Sequence, residues 1–266
     1  MLDIIETAAK SGGKVLTHYF RKIYQTSHKG NFRNIVTTAD LESQKIIQQT
    51  IQRMMQKKAH KASDIGFIGE ENLHISGDYQ FIIDPLDGTT NFASGLDLFT
   101  VSIAAYTQGK PICGVVYQPL HDILYFAEKD KGAFKKINNR DTKLVVNHQS
   151  LNQMVITAHL TSNPLLRQQM SSVVTKLASK TLGIRHLGVI TLEQCYFTEN
   201  IFGVVINANH YIWDTAATQL IVEEAGGILS DWKGNRLTYD FNNPTLSYNS
   251  MSCHPDNLKS LLPYLK

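Results

Sequence analysis

The chain of 266 residues has few cysteines, no long apolar run and no strong excess of either charge. Three cysteines that are odd in number and far apart exclude a disulfide framework and a cysteine-rich zinc site. With 26 basic and 23 acidic residues the net charge is +3, which argues against nucleic acid or a membrane as the main partner. Neither a signal peptide nor a membrane-spanning segment is visible, so the cytoplasm is the expected location.

Helical and extended patterns alternate along the chain, and there is no internal repeat or low-complexity tract. This alternation predicts a layered α/β fold. We expect two lobes: residues 1–150, an N-terminal α+β lobe, and residues 151–266, a C-terminal α/β lobe. The first lobe is predicted to contain helices at 2–24 and 38–58, strands at 66–69, 81–83, 98–105, 112–118 and 123–127, and a basic hairpin at 129–143.

The second lobe is expected to contain shorter elements with turns between them. Its Gly226–Gly227 pair is predicted to end a helix in the left-handed conformation that glycine tolerates. The predicted strands are 154–158, 181–184, 201–206, 228–230 and 245–248, and the predicted helices are 163–178, 189–196, 213–225 and 255–262.

The stretch Phe81–Phe92 contains two carboxylates, two hydroxyls and a glycine at the end of a buried strand. Asp84 and Asp87 flank Pro85-Leu86, so a tight turn could direct both carboxylates and the Leu86 carbonyl at one point. Gly88, Thr89 and Thr90 follow where a short helix could begin, and helix N-termini favour anions such as phosphate. The alternative is an ordinary aspartate-rich turn after a strand.

Other acidic residues occur at the beginnings of helices or after strands. Glu70 and Glu71 follow the strand at 66–69, and the polar segment 72–78 after them is expected to be a mobile flap. Asp40 in the first turn of the second helix would stabilise the helix dipole in any protein. Asp214 could likewise be a helix N-cap.

Four motifs in order give the chain a family resemblance. Residues 84–92, Asp-Pro-Leu-Asp-Gly-Thr-Thr-Asn-Phe, resemble the signature of the inositol monophosphatase family of magnesium-dependent, lithium-sensitive phosphatases. The further matches are Val36–Asp40, Gly69–Glu71, and Trp213–Ala217 leading to Glu224–Gly227. The resemblance implies the α-β-α-β-α sandwich of the sugar phosphatase fold, Mg²⁺ as cofactor and a homodimer.

Carried over residue by residue, the resemblance assigns roles around a two-metal site. One metal would take Glu70, Asp84 and the Leu86 carbonyl, and a second would take Asp84, Asp87 and Asp214. Glu70 and Thr89, with Asp40 behind Thr89, would activate water, and Lys29 would lie near the metals. The substrate would be bound by Asp87, Gly88, Thr89, Thr90, Asn207 and Asp214.

The expected substrate is a small phosphomonoester, inositol 1-phosphate or a related polyol or sugar phosphate. Thr90-Asn91-Phe92 resembles the inositol phosphatase branch of the family. The chain departs from that branch at Asn207, where a glutamate is common, and at Val189 and Ile190, where small residues are usual. Activity on nucleotide 3′(2′),5′-bisphosphates or fructose 1,6-bisphosphate therefore remains an alternative, and a catalytically weak binding or regulatory protein is a further one.

Overall fold

The computed structural model describes residues 1–22, 26–28, 35–161 and 163–265, with the backbone alone for 26–28, 35 and 36. Lys29 lies outside the described residues. In the described part the helices are α1 (Leu2–Tyr19), α2 (Thr38–Lys57), α3 (Thr89–Ala93), α4 (Pro164–Ala178), α5 (Ile190–Thr198), α6 (Ile212–Glu224) and α7 (Leu258–Leu261). Short 3₁₀ turns occur at Ala62–Asp64, Leu151–Gln153, Pro255–Asn257 and Leu262–Leu265.

The strands form an eight-stranded sheet, a five-stranded sheet and one small ribbon. They are β1 (Thr26–His28), β2 (Ile35–Thr37), β3 (Ile65–Gly69), β4 (Leu73–Ile75), β5 (Tyr79–Asp87), β6 (Thr100–Thr107), β7 (Lys110–Gln118), β8 (Ile123–Glu128), β9 (Gly132–Ile137), β10 (Arg140–Leu144), β11 (Val155–Ala158), β12 (Gly183–Arg185), β13 (Val204–His210), β14 (Ile228–Asp231) and β15 (Tyr248–Cys253). The first sheet has the order β10-β9-β8-β7-β6-β5-β3-β4, and the second has the order β12-β11-β13-β15-β14.

Three hydrophobic clusters show that the elements form five layers. One cluster joins α1 and α2 to one face of the first sheet, through residues such as Ile5, Ile47 and Phe81. The next joins the opposite face of that sheet to α5, α6 and the second sheet. The third covers the outer face of the second sheet with α4 and the C-terminal helical turns. The predicted α-β-α-β-α architecture is confirmed, whereas the division into lobes at residue 150 stays a prediction.

The strand of the aspartate signature is longer than predicted. β5 does not end at Ile83 but continues through the signature to Asp87. Asp84 pairs with Ser102 and Asp87 with Thr100, so Pro85 and Leu86 together stand opposite one residue of β6. This is a β-bulge, a site where a proline without an N–H is tolerated and where side chains change direction.

Three further predictions differ from the structure, two of them because polar residues occupy strands. Residues 72–78 were expected to form a flap, but Leu73–Ile75 pair with β3 as an edge strand. The strand expected at 201–206 begins at Val204 and continues through the polar residues to His210. The strand expected at 245–248 lies at Tyr248–Cys253, where Ser250 and Ser252 are buried. An apolar pattern does not detect strands whose inward positions are serine or asparagine.

Other sequence predictions are confirmed. The antiparallel meander and the basic hairpin are β6 to β10. Asn163 caps α4 by accepting bonds from the N–H groups of Leu165 and Leu166. Gly226, at φ +89°, follows the last turn of α6. Among the described residues, no helix has the length and apolarity that crossing a membrane requires.

The helix that contains Asp214 lies very close to the first sheet at Gly114. A Cβ atom at Gly114 would stand 2.7 Å from the Ala217 carbonyl oxygen of α6 and 3.0 Å from its Cα, both backbone atoms. Gly114→Ala should therefore lower the free energy of unfolding by about 1–3 kcal/mol, measured by urea denaturation. Gly183→Ala is the matched control, because its Cβ would meet only the mobile guanidinium of Arg185. Equal stability losses in the two variants would contradict the close approach.

Candidate active site at the β5 bulge

Asp84 and Asp87 lie at the two ends of the bulge, and each is held by a different partner. The Leu86 N–H donates to Asp84 Oδ1 (3.0 Å), which closes the bulge on itself. The Thr191 N–H and hydroxyl both donate to Asp87 Oδ2 (2.7 Å each). Thr191 is in the first turn of α5, so the free N–H groups and positive end of that helix face Asp87. The bulge on the first sheet is thereby joined to α5.

Asp214 and Glu70 approach the same place from other elements. Asp214 is the third residue of α6, and the Tyr211 N–H donates to its Oδ2 (2.6 Å), so it supports the helix start without being the N-cap. The Glu70 N–H donates to the Ile83 carbonyl (3.3 Å), which fixes its backbone beside β5 just before the bulge. All four carboxylates predicted as metal ligands are thus brought to one region.

The electrostatics of the four carboxylates support this grouping. Burial raises the pKa of Asp84 well above its ordinary value, and the charges of Glu70, Asp87 and Asp214 raise it further. Burial also raises the pKa of Asp214, with contributions from Asp87 and Glu70. Burial raises the pKa of Asp87 to about 6, although the Thr191 bonds oppose the shift. Like charges collected in a buried site call for a compensating cation.

Asp40 and Thr89 form a second small network behind the bulge. Asp40 Oδ2 accepts bonds from the Thr37 N–H (2.9 Å) and from the Thr37 hydroxyl. Its Oδ1 is 3.2 Å from the Thr89 hydroxyl, which also stands 3.1 Å from the Leu86 carbonyl oxygen. Burial raises the pKa of Asp40 to about 6. The Asp40 carboxylate therefore stabilises the start of α2 and also binds the Thr89 hydroxyl.

Gly88 connects the bulge to the short helix α3. Its φ of +95° lies in the left-handed region, and a Cβ there would stand 2.8 Å from the Val189 side chain and 3.0 Å from the Leu98 carbonyl oxygen. Glycine is thus required both by the conformation and by the space. Thr90 is exposed on the first turn of α3, while Thr89 is half-buried. This places the predicted phosphate-binding residues side by side at the surface end of the site.

The structure places the remaining predicted residues as follows. The Leu86 side chain is fully buried, and its carbonyl oxygen is the one close to Thr89. Asn207 is fully buried on β13, seven residues before Asp214. Within the described ranges, no three acidic, histidine or cysteine side chains already converge as a metal-binding group. The hydrogen bonds from Leu86 to Asp84, from Thr191 to Asp87 and from Tyr211 to Asp214 turn one oxygen of each aspartate towards the protein.

Several residues that build the site were missed in the sequence. Thr191 binds Asp87 and also stands 2.6 Å from the Thr100 hydroxyl, yet it is 104 residues from Asp87 in the chain.

Asn91 donates to the Leu98 and Leu187 carbonyls, which fixes the loop before α5 against the signature. On α2, Ser43 donates to the Pro85 carbonyl and Gln44 binds the backbone of Glu71. These are partners in space, and no local sequence signal announces them.

Comparison with known proteins agrees with this geometry. The model of the Inositol monophosphatase family matches residues 1–263. The fold and site thus define a phosphatase of the layered α/β class. The chain belongs to the inositol monophosphatase family.

Similar proteins have two kinds of name. The chain is 32% identical to the inositol-1-monophosphatase of Rhizobium meliloti over 244 residues, covering 88% of this chain and 86% of that protein. It is 31% identical to Nus factor SuhB of Pasteurella multocida over 239 residues, with 88% and 86% covered. The crystal structure of the extragenic suppressor protein suhB from Bartonella henselae superposes with a TM-score of 0.86 at 30% identity, covering 100% of this chain and 98% of that one. The Thermotoga maritima IMPase also gives 0.86, at 26% identity with 99% and 96% covered.

The raised pKa values of Asp40 and Asp87 predict that these two carboxyl groups stabilise the metal-free protein less as the pH rises. Between pH 4 and 6 the folded chain keeps protons on Asp40 and Asp87 that the unfolded chain releases, so the free energy of unfolding falls with pH. A shift of about two pKa units corresponds to ~3 kcal/mol for each group. In chelator, Asp40 and Asp87 should therefore each stabilise the protein by about 1.4 kcal/mol less at pH 8 than at pH 5, as measured by urea denaturation.

The Asp87→Asn variant is the control for this pH dependence, because its side chain cannot ionise. It should lose about 1.4 kcal/mol less than the native chain between pH 5 and pH 8, because the unfolded aspartate is already ionised at pH 5. Equal changes of stability between pH 5 and pH 8 in the two proteins would contradict the buried charge at Asp87.

Proposed function

We propose that this protein hydrolyses a small phosphomonoester with the help of Mg²⁺. The observation that carries the proposal is the grouping of Glu70, Asp84, Asp87 and Asp214: besides burial, the charges of Glu70 and Asp87 raise the pKa values of both Asp84 and Asp214. A buried group of carboxylates is unfavourable unless cations join it, and a phosphate ester is an anion that such cations attract. The family of the chain, a phosphatase family, supports the same conclusion.

The donor set fits magnesium. The proposed ligands are carboxylate oxygens and the Leu86 carbonyl, which suit a hard ion, and they include no thiolate or imidazole of the kind that favours zinc. Glu70, Asp84 and Leu86 would hold one ion, and Asp84, Asp87 and Asp214 a second. When bound, Mg²⁺ would lower the pKa of a water and neutralise charge on the phosphate.

The chain itself supplies the remaining functions. Thr89, oriented by Asp40, and Glu70 would position the attacking water and receive its proton. The N–H groups of Gly88 and Thr89 and the hydroxyls of Thr89 and Thr90 would hold the phosphate oxygens. The left-handed conformation of Gly88 supports this, because it allows the backbone to approach a ligand without a side chain in the way.

The substrate we propose is inositol 1-phosphate or a related small polyol or sugar phosphate, with Asn207 in the alcohol pocket. A relative named inositol-1-monophosphatase supports this choice. Nucleotide 3′(2′),5′-bisphosphates and fructose 1,6-bisphosphate are the alternative substrates, because Asn207 replaces the glutamate of the inositol branch. We also propose that the protein acts as a homodimer, as the resemblance implies.

A second candidate is a regulatory or binding function with weak catalysis. It is favoured by relatives at 30–31% identity that are named Nus factor SuhB. The name Nus factor is relevant to the expectation, drawn above from the balanced charge of the chain, that nucleic acid is not its main partner. Hydrolysis is preferred because this chain retains every carboxylate of the proposed site and the threonines beside them.

The proposal is tested by inorganic phosphate release from inositol 1-phosphate, glycerol 2-phosphate, fructose 1,6-bisphosphate and adenosine 3′,5′-bisphosphate, with Mg²⁺ and with chelator. Release should require Mg²⁺, and Asp84→Asn should lower kcat/KM by about 100-fold or more because both proposed ions lose a shared charge. Asp78→Asn is the matched control: Asp78 is exposed six residues earlier in the chain, and activity should be unchanged. Metal-independent release, or normal turnover in Asp84→Asn, would overturn the proposed ligand set.

A separate prediction concerns the hydroxyl of Thr89. Thr89→Ser keeps the hydroxyl near Asp40 Oδ1 and should retain most of the activity. Thr89→Val has the same shape without the hydroxyl, so kcat should fall by about 100-fold or more while KM changes little. Steady-state kinetics on the best substrate measures both values. Equal kcat values in the two variants would mean that the Thr89 hydroxyl takes no part in the reaction.

A further inference from the structure

Polar residues outside the proposed catalytic set collect at the ends of the parallel strands in the second sheet. β11 lies parallel to both β12 and β13, so the carboxyl ends of these three strands share one edge of the sheet. His159 follows β11, His186 follows β12, and Asn207 lies on β13, and we call these three residues the strand-end cluster. In α/β sheets this edge is where ligands commonly bind.

Contacts join the three residues to one another. The His159 N–H donates to the Ile206 carbonyl (2.9 Å), which extends the pairing of the strands and places His159 beside Asn207. The rings of His159 and His186 meet edge to face, with 4.9 Å between their centroids. The side chains of His159 and Asn207 point to the same face of the sheet as Val205, which packs towards α5 and α6.

The strand-end cluster adjoins the proposed phosphate site. Directly after His186, the Leu187 carbonyl accepts a bond from Asn91 (2.8 Å) of α3. A Cβ at Gly188 would stand 3.5 Å from the same Asn91 side chain, and Val189 contacts Gly88. A phosphate held at Gly88 and Thr89 would therefore lie close to the segment that follows His186.

The polar atoms of this cluster have unmet hydrogen-bonding capacity. Asn207 is 0% exposed, and neither its Nδ2 nor its Oδ1 has a partner among the described residues. The buried Nδ1 of His159 has none there either. A buried polar group without a partner costs about 1–3 kcal/mol, so a ligand that supplied the missing bonds would bind favourably. Exposure rises from Asn207 through half-buried His159 to exposed His186, which gives a ligand its path of entry.

The lining of the cluster has no positive charge at neutral pH, and the buried carboxyl group of Glu193, which accepts a bond from the Leu187 N–H (2.6 Å), lies beside it. Burial lowers the pKa of His159 to about 3, and the neighbouring His186 and His210 lower it further. Burial lowers the pKa of His210 to about 4. The nearest basic side chains on these segments are turned away or engaged: Arg185 donates to the Ile184 carbonyl behind it, and Arg167 donates to the Thr161 carbonyl. A second phosphate would be desolvated here without a positive partner.

We propose that His159, with Asn207 beside it, determines specificity by binding the hydroxyl groups of an uncharged alcohol next to the ester bond. A hydroxyl both donates and accepts, so vicinal hydroxyls complement the paired donor and acceptor of the Asn207 amide and the imidazole nitrogen. Cyclitols and riboses both have vicinal hydroxyls, so both classes of alcohol fit the cluster. An alcohol with a second phosphate group is disfavoured. This inference rests on the proposed function.

Steady-state kinetics on full and truncated substrates tests the assignment. His159→Leu should raise KM for inositol 1-phosphate and for 2′-AMP at least tenfold, and change kcat/KM for ethyl phosphate less than twofold. Ethyl phosphate has no hydroxyl that could reach the cluster. His159→Gln should recover part of the loss, and His121→Leu, at an exposed histidine between β7 and β8, should have no effect. The native chain should prefer both monoesters to fructose 1,6-bisphosphate.

A binding measurement separates this inference from the proposed function. In protein with ¹³C-labelled histidine, the His159 signal should shift when myo-inositol or adenosine is added with Mg²⁺ and inorganic phosphate, and not with phosphate alone. The alcohol that produces the larger shift identifies a cyclitol or a nucleoside. A chain without turnover would refute the proposed function, and the shift would still support the alcohol site. No shift with either alcohol, or an equal effect of His159→Leu on ethyl phosphate, would overturn the role of His159.

Discussion

The two hydrogen bonds from Thr191 to Asp87 are the interaction on which the site depends. They join the bulge of the first sheet to the first turn of α5, across 104 residues of chain. They provide a buried carboxylate with donors, and the positive end of the helix adds to their effect. They also fix the start of α5, and hence the loop 186–189 that lies against Gly88 and Asn91. Without this contact the aspartate would be buried beside three like charges with little compensation.

The sequence was sufficient to predict the elements whose chemistry is local. Asp40 at the beginning of a helix and the left-handed Gly226 each announce a structure within a few residues. The five layers were predicted through the family resemblance, and the clusters of the core confirm them. What could not be predicted depends on partners distant in the chain. Thr191 is an ordinary helix residue until the fold places it against Asp87.

The strands that were misplaced share a physical cause. The layer between the second sheet and its inner helices is partly polar: Gln194 of α5 donates to the Ser252 hydroxyl (3.4 Å) and accepts a bond from Thr218 of α6. Ser250 and Asn207 face the same layer from neighbouring strands. Such strands lack the alternation of apolar and polar residues by which a half-buried strand is detected. Polar groups in a core restrict packing to arrangements that satisfy them, so this layer helps to fix how α5 and α6 lie on the sheet.

The cost of the acidic cluster bears on the choice between a hydrolase and a binding protein. Asp40 and Asp214 support helix starts, but a helix start is satisfied equally well by serine, threonine or asparagine without a buried charge. Burial and the charge of Asp87 raise the pKa of Asp84, and burial raises the pKa of Asp87, so both would be replaced at a gain in stability if they served the fold alone. Their combined presence is explained physically by cations that the protein must bind. A function that used only the surface would not require this arrangement, and for that reason the hydrolase is the better account of this chain.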